Sequence, residues 1–285
     1  MYERGRTHRP RKRFGQHFLT DGRIADRIVG SAGIGPDDVV LEIGPGKGIL
    51  TGRLIERARE VVAVEIDRDL AGALEVRFGG KGSFRLIAGD ILTVDIGGIA
   101  GKYERRIVVV SNIPYNISAP IVELLAANHR YLSRAVIMLQ REVAQRLLAE
   151  PGSRDYGLTT LNLALYAVGR NVMDVMPGSF HPAPGVVSRV IALELAETCR
   201  YPLDDEAVFR RLTGAAFRQR RKMVRNTLLP FMAASGVSAG RASLLLESAG
   251  IDPTVRPERI TVDSFVRLSN GLAGEHSARP TESDE

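Results

Sequence analysis

The 285-residue chain is poor in cysteine and has no long apolar run, and each absence excludes a class of protein. Its single cysteine, Cys199, cannot form a disulfide within the chain, which favours a reducing compartment. We expect no membrane span, because no run of about 18 apolar residues occurs. The basic N-terminus also lacks the apolar core of a secretory signal. These features predict a cytoplasmic protein that does not bind a membrane.

Positive charge is in excess, whereas metal ligands are not clustered. No His, Cys and acidic residues share the spacing of a metal site, so we expect no metal. The net charge of +6 and the pI of about 9.7 favour a polyanionic partner. Residues 1–13 carry six basic residues against one acid, and we predict a flexible tail there. Its second half, with Arg11, Lys12 and Arg13, is a candidate RNA contact.

The chain is organised around a glycine-rich segment. The apolar run 39–43 predicts a buried strand, and residues 49–55 have helical spacing after Gly44, Gly46 and Gly48. Strand, turn and helix are the first part of a nucleotide-binding βαβ unit. Glycine follows Lys47 where a P-loop needs Ser or Thr, and the third glycine comes one residue early for a dinucleotide site. The spacing favours a ligand without phosphates, packed against the turn.

The next two predicted strands each end near an acid. Strand 61–65 ends in Glu65, about 20 residues after the turn, where an acid holds ribose hydroxyls. Strand 84–88 is followed by Asp90, which we expect beside the base. An adenosine without phosphates points to S-adenosylmethionine as the cofactor. The alternative is a glycine-rich turn in another Rossmann-type enzyme.

Candidate catalytic residues follow the apolar run 107–111, a predicted central parallel strand. The N6 amine of adenine is a weak nucleophile, since its lone pair is delocalised into the ring. The Asn112 side-chain oxygen and the Ile113 carbonyl could accept both amine hydrogens and direct the lone pair at a methyl group. Pro114 fixes φ, and Tyr115 offers a ring on which a flipped base can stack. The alternative is a plain Asn-x-Pro turn after a strand.

Two further residues have two interpretations each. His17 is either a surface or capping histidine or a lid residue over the ligand. Phe180, between prolines, is either a core residue, which its position alone favours, or a second aromatic for the base. Elsewhere, 97–106 is predicted as a loop and 158–168 as helix or strand. We predict further helices at 24–29, from Asp67 to about 79, at 119–127 and at 142–150, and strands at 134–140 and 186–195.

After residue 202 the composition changes, and nearly all of the chain has the periodicity of helices. Asp204 or Asp205 is expected to cap a helix that continues through 217–226, with further helices near 238–249 and 263–272. Segment 217–226 contains no acid and predicts an RNA-binding helix, the alternative being a solvated helix face. Its basic residues are Arg218, Arg220, Arg221, Lys222 and Arg225. The predicted division is a tail at 1–13, a cofactor-binding domain at 14–199, a helical RNA-binding domain at 200–273 and a disordered tail at 274–285.

From about residue 11 to 270, the chain resembles the ribosomal RNA adenine N6-dimethyltransferases, especially those of the small subunit. The motifs that carry the resemblance are 14–19 (FGQHFL), 42–48 (EIGPGKG), 65–67 (EID), 89–90 (GD), 112–115 (NIPY), 140–144 (QREVA), 180–184 (FHPAP) and the basic segment 217–226. The resemblance implies an α/β fold. Its parts would be a Rossmann-like methyltransferase sheet with helices on both faces and a small all-α C-terminal domain.

The resemblance also implies site residues and a substrate. Tyr115 and Phe180 would sandwich the target adenine, which gives Phe180 a role beyond the core. The substrate would be two adjacent adenines in the hairpin loop near the 3′ end of small-subunit rRNA, each dimethylated by a monomeric enzyme acting on a pre-30S particle. The implied cofactor site comprises His17, Leu19, Gly44, Gly46, Glu65, Ile66, Asp90, Ile91 and Asn112.

The chain departs from the family pattern at two places. The family more often has Asn at position 17, so the contact of His17 with the cofactor is expected through its backbone. After Pro184, Gly185 and Val187 replace the usual Lys and Asp, which weakens any contact assigned to that segment.

Three other functions stay open. One is the related group that methylates large-subunit rRNA and confers macrolide resistance, against which segments 217–226 and 250–265 argue. Another is a ribosome-assembly binding factor whose methylation is secondary. The third is a methyltransferase for protein or a small molecule, which the basic segment disfavours.

Overall fold

The strongest apolar runs of the sequence form the strands of one seven-stranded sheet in the computed structural model, which describes residues 16–277. The predictions for Arg11, Lys12 and Arg13 and for residues 278–285 lie outside the described residues. The described chain forms two units, one from 16–144 and 167–198 and the other from 145–166 and 199–277. The second unit thus includes residues 145–166, which the predicted boundary at 199 assigned to the first domain.

The sheet of the first unit has the order β4-β3-β2-β5-β6-β9-β7. Neighbouring strands are parallel from β4 to β6, whereas β9 is antiparallel to β6 and β7. Two short strands, β1 and β8, pair separately. The strands are β1 Phe18–Leu19, β2 Val39–Ile43, β3 Glu60–Glu65, β4 Phe84–Ala88, β5 Ile107–Asn112, β6 Leu132–Gln140, β7 Ala167–Val175, β8 Phe180–His181 and β9 Ser188–Leu195.

The order of the strands opens a crevice between β2 and β5. From β2 the chain runs outward to β3 and β4, then returns to add β5 on the other side of β2. Loops leaving β2 and β5 therefore diverge at the carboxyl edge, where open α/β sheets bind their ligands. All five residues of β2 are buried, as expected for a central parallel strand.

Aspartates begin several helices of the first unit. The side chains of Asp21 and Asp67 accept backbone N–H bonds at the starts of α1 and α3, the helices predicted at 24–29 and from Asp67. The helices are α1 Gly22–Ser31, α2 Ile49–Ile55, α3 Arg68–Phe78, α4 Ile96–Lys102 and α5 Ser118–Ala127, followed by α6 Arg141–Leu147.

Helices of the second unit share a separate hydrophobic core that includes Tyr156, Phe209, Leu228 and Phe265. Asp205, one of the two predicted caps, accepts from the Val208 N–H at 3.0 Å. The helices are α7 Leu158–Ala164, α8 Glu206–Phe217, α9 Arg225–Ala234, α10 Ala239–Ser248 and α11 Val262–Ser277. The two units confirm the predicted fold class, although α11 extends into the predicted C-terminal tail.

Two predictions of local structure are wrong. Residues 97–106 are not all loop, because Asp95 caps α4 through the Gly98 N–H at 2.9 Å and the helix buries Ile96, Ile99 and Ala100. Segment 217–226 is not a continuous helix. The chain turns between α8 and α9, where the Val224 N–H donates to the Val255 carbonyl at 2.8 Å instead of to a carbonyl one helical turn earlier.

Within residues 16–277, no helix is both long and apolar enough to cross a membrane.

Gly48, which caps α2, provides a test of the packing below the turn. Its φ is 77°, and a Cβ there would lie 2.7 Å from Phe78 Cε2. We expect Gly48→Ala to lower the free energy of unfolding by about 2–4 kcal/mol, through backbone strain and overpacking. Urea denaturation followed by circular dichroism measures this.

Gly72→Ala, inside α3, is the matched control, since an added Cβ would meet no atom within 4 Å apart from the adjacent backbone of its own helix. It should raise the same free energy by about 0.5–1 kcal/mol. Equal stabilities of the two variants would contradict the packing assigned to Gly48.

Candidate active site

A cavity of about 130 Å³ lies at the carboxyl ends of β2, β3, β4 and β5. Its walls come from the segment around β1 and from the turns that follow these four strands. The predicted cofactor residues all line it: His17, Leu19, Gly44, Gly46, Glu65, Ile66, Asp90, Ile91 and Asn112. Of the predicted catalytic residues, Ile113, Pro114 and Tyr115 line it as well.

The glycine turn fits closely against neighbouring groups. Gly46 has a φ of 58°, and a Cβ there would lie 3.0 Å from Phe18 Cδ1. Its N–H donates to Glu65 Oε2 at 3.0 Å. Glycine at this position therefore satisfies both the backbone conformation and the approach of the Phe18 ring.

Glu65 is a buried carboxyl held by backbone donors. Besides the Gly46 N–H, it accepts from the Asp67 N–H at 2.9 Å. Burial raises the pKa of Glu65, and the two backbone hydrogen bonds oppose that shift. A carboxylate has about four acceptor positions, so these bonds orient the group and leave acceptor capacity for two ligand hydroxyls.

Asp90 and two isoleucines extend the wall beyond Glu65. Asp90 is half-buried, and its Oδ1 accepts from the Leu92 N–H at 3.0 Å, which orders the turn after β4. Ile91 is buried, whereas Ile66 is 46% exposed. An exposed apolar side chain in a cavity wall suits a flat aromatic ligand.

Asn112 ends β5 with its amide held in one orientation. Its Nδ2 donates to the His17 carbonyl at 3.1 Å, which uses the amide NH₂ and leaves Oδ1 as an acceptor. The next N–H, of Ile113, donates to the Met138 carbonyl at 2.9 Å. The peptide after β5 is thereby anchored to β6.

Tyr115 is half-buried and held at its hydroxyl. That hydroxyl is hydrogen-bonded to Ser188 Oγ, and burial raises the pKa of Tyr115. The ring centroids of Tyr115 and His17 are 5.3 Å apart, with the planes tilted by 32°.

His17 supports the lid interpretation, since it lines the cavity. Its Nδ1 lies 2.8 Å from the Pro182 carbonyl, and because a carbonyl only accepts, Nδ1 carries the proton. The preceding residue, Gln16, donates from Nε2 to Asp67 Oδ2 at 3.1 Å. The segment around β1 is thus fastened to the ends of β3, β5 and β8.

Sequence reasoning missed Glu42, which also lines the cavity. It is 1% exposed, and neither carboxyl oxygen makes a hydrogen bond of regular geometry within residues 16–277. Burial raises the pKa of Glu42 to about 8, with a contribution from the charge of Glu65 and partial opposition from Thr51. The signal in the sequence was an acid inside an otherwise apolar strand.

Phe180 differs from the other predicted site residues. It is 5% exposed, packs in a hydrophobic cluster with Leu19 and does not line the cavity. This position matches the core interpretation, and its contact with a base stays a prediction.

The five basic residues between Phe217 and Asn226 are exposed, but they differ in their contacts. Arg220 donates to the carbonyls of Arg154 and Tyr156 at 2.8 and 2.6 Å, and its guanidinium lies over the Phe217 ring. Within the described chain, none of the five forms an ion pair with an acid. Arg218, Arg221, Lys222 and Arg225 therefore present unneutralised charge.

Groups of three His, Cys, Asp or Glu side chains arranged to hold a metal ion are absent from residues 16–277.

Comparison with protein families and curated proteins gives a consistent result. The family model described as ribosomal RNA adenine dimethylase matches residues 7–273. The chain is 43% identical over 261 residues to ribosomal RNA small subunit methyltransferase A of Magnetococcus marinus, covering 92% of this chain and 91% of that protein. The protein of the same name from Geobacter metallireducens is 40% identical over 271 residues, 94% and 98% of the two chains.

Solved structures agree with the fold. A dimethyladenosine transferase from Plasmodium falciparum is 26% identical with a TM-score of 0.76, covering 91% of this chain and 98% of that one. The 23S rRNA methyltransferase ErmE is 25% identical with a TM-score of 0.69, covering 90% and 99%. The chain belongs to the ribosomal RNA adenine dimethylase family of S-adenosylmethionine-dependent methyltransferases.

Proposed function

We propose that this protein dimethylates the N6 amines of two adjacent adenosines in the 3′-terminal hairpin loop of small-subunit rRNA. It acts on a pre-30S particle, as a monomer, in the cytoplasm. The observation that carries the assignment is the fixed amide of Asn112, a residue that lines the same cavity as Glu65.

The choice of ribosomal subunit rests on the relatives. The two curated proteins named for the small-subunit enzyme that are compared above are 43% and 40% identical over more than nine-tenths of this chain. The large-subunit enzyme ErmE is 25% identical. We therefore favour the small-subunit substrate over methylation of large-subunit rRNA.

The residues lining the cavity fit S-adenosylmethionine. The remaining acceptor positions of Glu65 would hold ribose hydroxyls, while Asp90, Ile66 and Ile91 would hold the adenine ring. Glu42 is a buried carboxyl with no hydrogen bond of regular geometry in the described chain, which suits a cationic group of the ligand. When bound, the cofactor supplies an electrophilic methyl group on a positively charged sulfonium.

Residues 112–115 would prepare the amine for attack. Asn112 Oδ1 and the Ile113 carbonyl accept its two hydrogens, turn its lone pair toward the methyl group and hold it within about 3–3.5 Å. Pro114 keeps the turn rigid. Tyr115 stacks on the flipped base, worth about 1–3 kcal/mol. Phe180 is the proposed second aromatic, although in this structure its ring belongs to the core.

The RNA would be held through its phosphates. Arg218, Arg221, Lys222 and Arg225 are exposed cations of the second unit that form no ion pair in the described chain, and Arg11, Lys12 and Arg13 would add to them. Arg220 is better explained as a local anchor, because its guanidinium is hydrogen-bonded to two backbone carbonyls.

Transfer of labelled methyl groups to purified ribosomal subunits from cells lacking this enzyme tests the proposal. We expect dimethyladenosine in the small-subunit 3′ hairpin, mapped by primer extension. Label confined to the large subunit would assign the protein to the other group. Label in neither subunit would overturn the RNA assignment.

Asn112→Ala should lower kcat about 100-fold or more, because an acceptor that aligns the reacting amine is lost. Asn112→Asp should also be impaired, since a carboxylate cannot donate to the His17 carbonyl. Calorimetry with S-adenosylmethionine separates any loss of cofactor affinity from the loss of kcat. Retained methylation by Asn112→Ala would contradict the role of the amide, whereas a purely assembly-related function would survive both changes.

Glu42→Gln tests the buried carboxyl. Its pKa, raised from 4.5 to about 8 in the folded state, means that the folded protein keeps a proton that the unfolded chain releases. The protonated Glu42 contributes its whole stabilising free energy below about pH 4.5, the pKa in the unfolded chain. This contribution is lost as the pH rises through about 8, the pKa in the folded protein. We expect the Tm of cofactor-free Glu42→Gln to match the native Tm at pH 5 and to exceed it at pH 9. An equal difference at both pH values would contradict this.

Cofactor binding should also ionise Glu42. At pH 7 we expect the native protein to release a proton on binding S-adenosylmethionine, whereas Glu42→Gln releases none. Calorimetry in buffers of different ionisation enthalpy measures the difference. Identical buffer dependence of the two proteins would show that Glu42 does not receive the cationic group.

Changing Arg218, Arg221, Lys222 and Arg225 to Gln should weaken binding to a small-subunit rRNA hairpin at low salt. The slope of log affinity against log salt should fall by up to about 3. The control removes four exposed charges from the first unit, Arg27, Arg57, Arg59 and Lys81, and should change both quantities much less. Equal losses in the two variants would mean that only net charge matters.

A further inference from the structure

Ser188 is a buried residue that contacts the proposed base-binding tyrosine. It is the first residue of β9, lies between Gln140 of β6 and Val175 of β7, and is fully buried. Two paired neighbours fix its backbone. Its hydroxyl is hydrogen-bonded to the hydroxyl of Tyr115, which leaves neither group unsatisfied.

The Tyr115 ring is held at both ends. At its backbone, the Tyr115 carbonyl accepts from Ser118 Oγ at 3.2 Å, within the turn that precedes α5. At its far end, the hydroxyl is held by Ser188. A phenol ring restrained only at its backbone could turn about its side-chain bonds, whereas a second anchor removes that freedom.

The Tyr115 ring also packs beside an aromatic side chain of the segment around β1. His17 is the aromatic neighbour in ring contact, at 5.3 Å and inclined by 32°. His17 is itself held by the Pro182 carbonyl. If the ring is already oriented before a flipped adenine arrives, stacking does not have to offset the entropy lost in ordering the ring.

We propose that Ser188 is a positioning residue, whose hydroxyl holds the Tyr115 ring in the orientation that receives the target adenine. The proposal rests on the stacking role assigned to Tyr115 above. Ser188 does not line the cavity, and it would act through the phenol hydroxyl. Burial raises the pKa of Tyr115, so this hydroxyl stays protonated and can donate at neutral pH.

A double-mutant cycle tests the pair. Ser188→Ala and Tyr115→Phe remove the same hydrogen bond from opposite ends, and the double variant removes nothing further. We expect Ser188→Ala to lower kcat for methylation of small subunits about five- to tenfold, the effect of one hydrogen bond, with KM for S-adenosylmethionine unchanged. In the Tyr115→Phe background, Ser188→Ala should have no further effect on kcat.

Ser133→Ala is the matched control. Its hydroxyl donates to the Ile107 carbonyl at 3.3 Å, near the start of β6 and thus at the opposite end of the sheet. It should leave kcat unchanged. Thermal unfolding of all four variants separates lost stability from lost positioning.

Three results would overturn the proposal: a native kcat in Ser188→Ala, a loss that persists undiminished in the Tyr115→Phe background, or a change confined to Tm. If Ser188→Ala does not fold, Tyr115→Phe alone tests the hydrogen bond. A native kcat in Tyr115→Phe would then refute the proposal. Failure of the native protein to methylate adenine would instead count against the proposed function.

Discussion

The site depends on the two backbone hydrogen bonds that the buried carboxyl of Glu65 accepts. One comes from Gly46 in the turn after β2, and the other from Asp67 at the start of α3. A single side chain thus fixes the positions of two neighbouring turns relative to each other. Asp67, in turn, accepts from Gln16, which brings the segment around β1 over the same end of the sheet.

Through that segment, the cofactor side of the cavity is connected to the substrate side. The His17 carbonyl orients the Asn112 amide, and the His17 ring contacts Tyr115. A residue predicted to reach the cofactor through its backbone therefore supports both groups proposed to hold the adenine. The contact that orients Asn112 uses only the main chain of His17, so it does not require a particular side chain at that position.

Structural features set by neighbouring residues could be predicted from the sequence. Features set by contacts with residues distant in the sequence could not. Apolar runs and aspartate caps located the parallel strands and most helices, and the spacing of acids after strands located the cavity. The turn after Phe217 was missed because its Val224 N–H bonds to Val255, about thirty residues away. Likewise, the sequence does not distinguish Arg220 from the basic residues beside it. Only the structure shows that Arg220 is hydrogen-bonded to two backbone carbonyls, as a local anchor would be.

Two carboxyl groups in one cavity show how environment assigns different tasks. Glu65 has backbone donors that favour its ionised form, so it is ready to accept hydroxyls. Glu42, on the neighbouring strand, makes no hydrogen bond of regular geometry among the described residues, and burial raises its pKa to about 8, so it is mostly protonated at neutral pH. A cationic ligand stabilises the ionised form that the apolar surroundings disfavour. The binding of a cationic cofactor, as proposed, would therefore be coupled to the ionisation of Glu42.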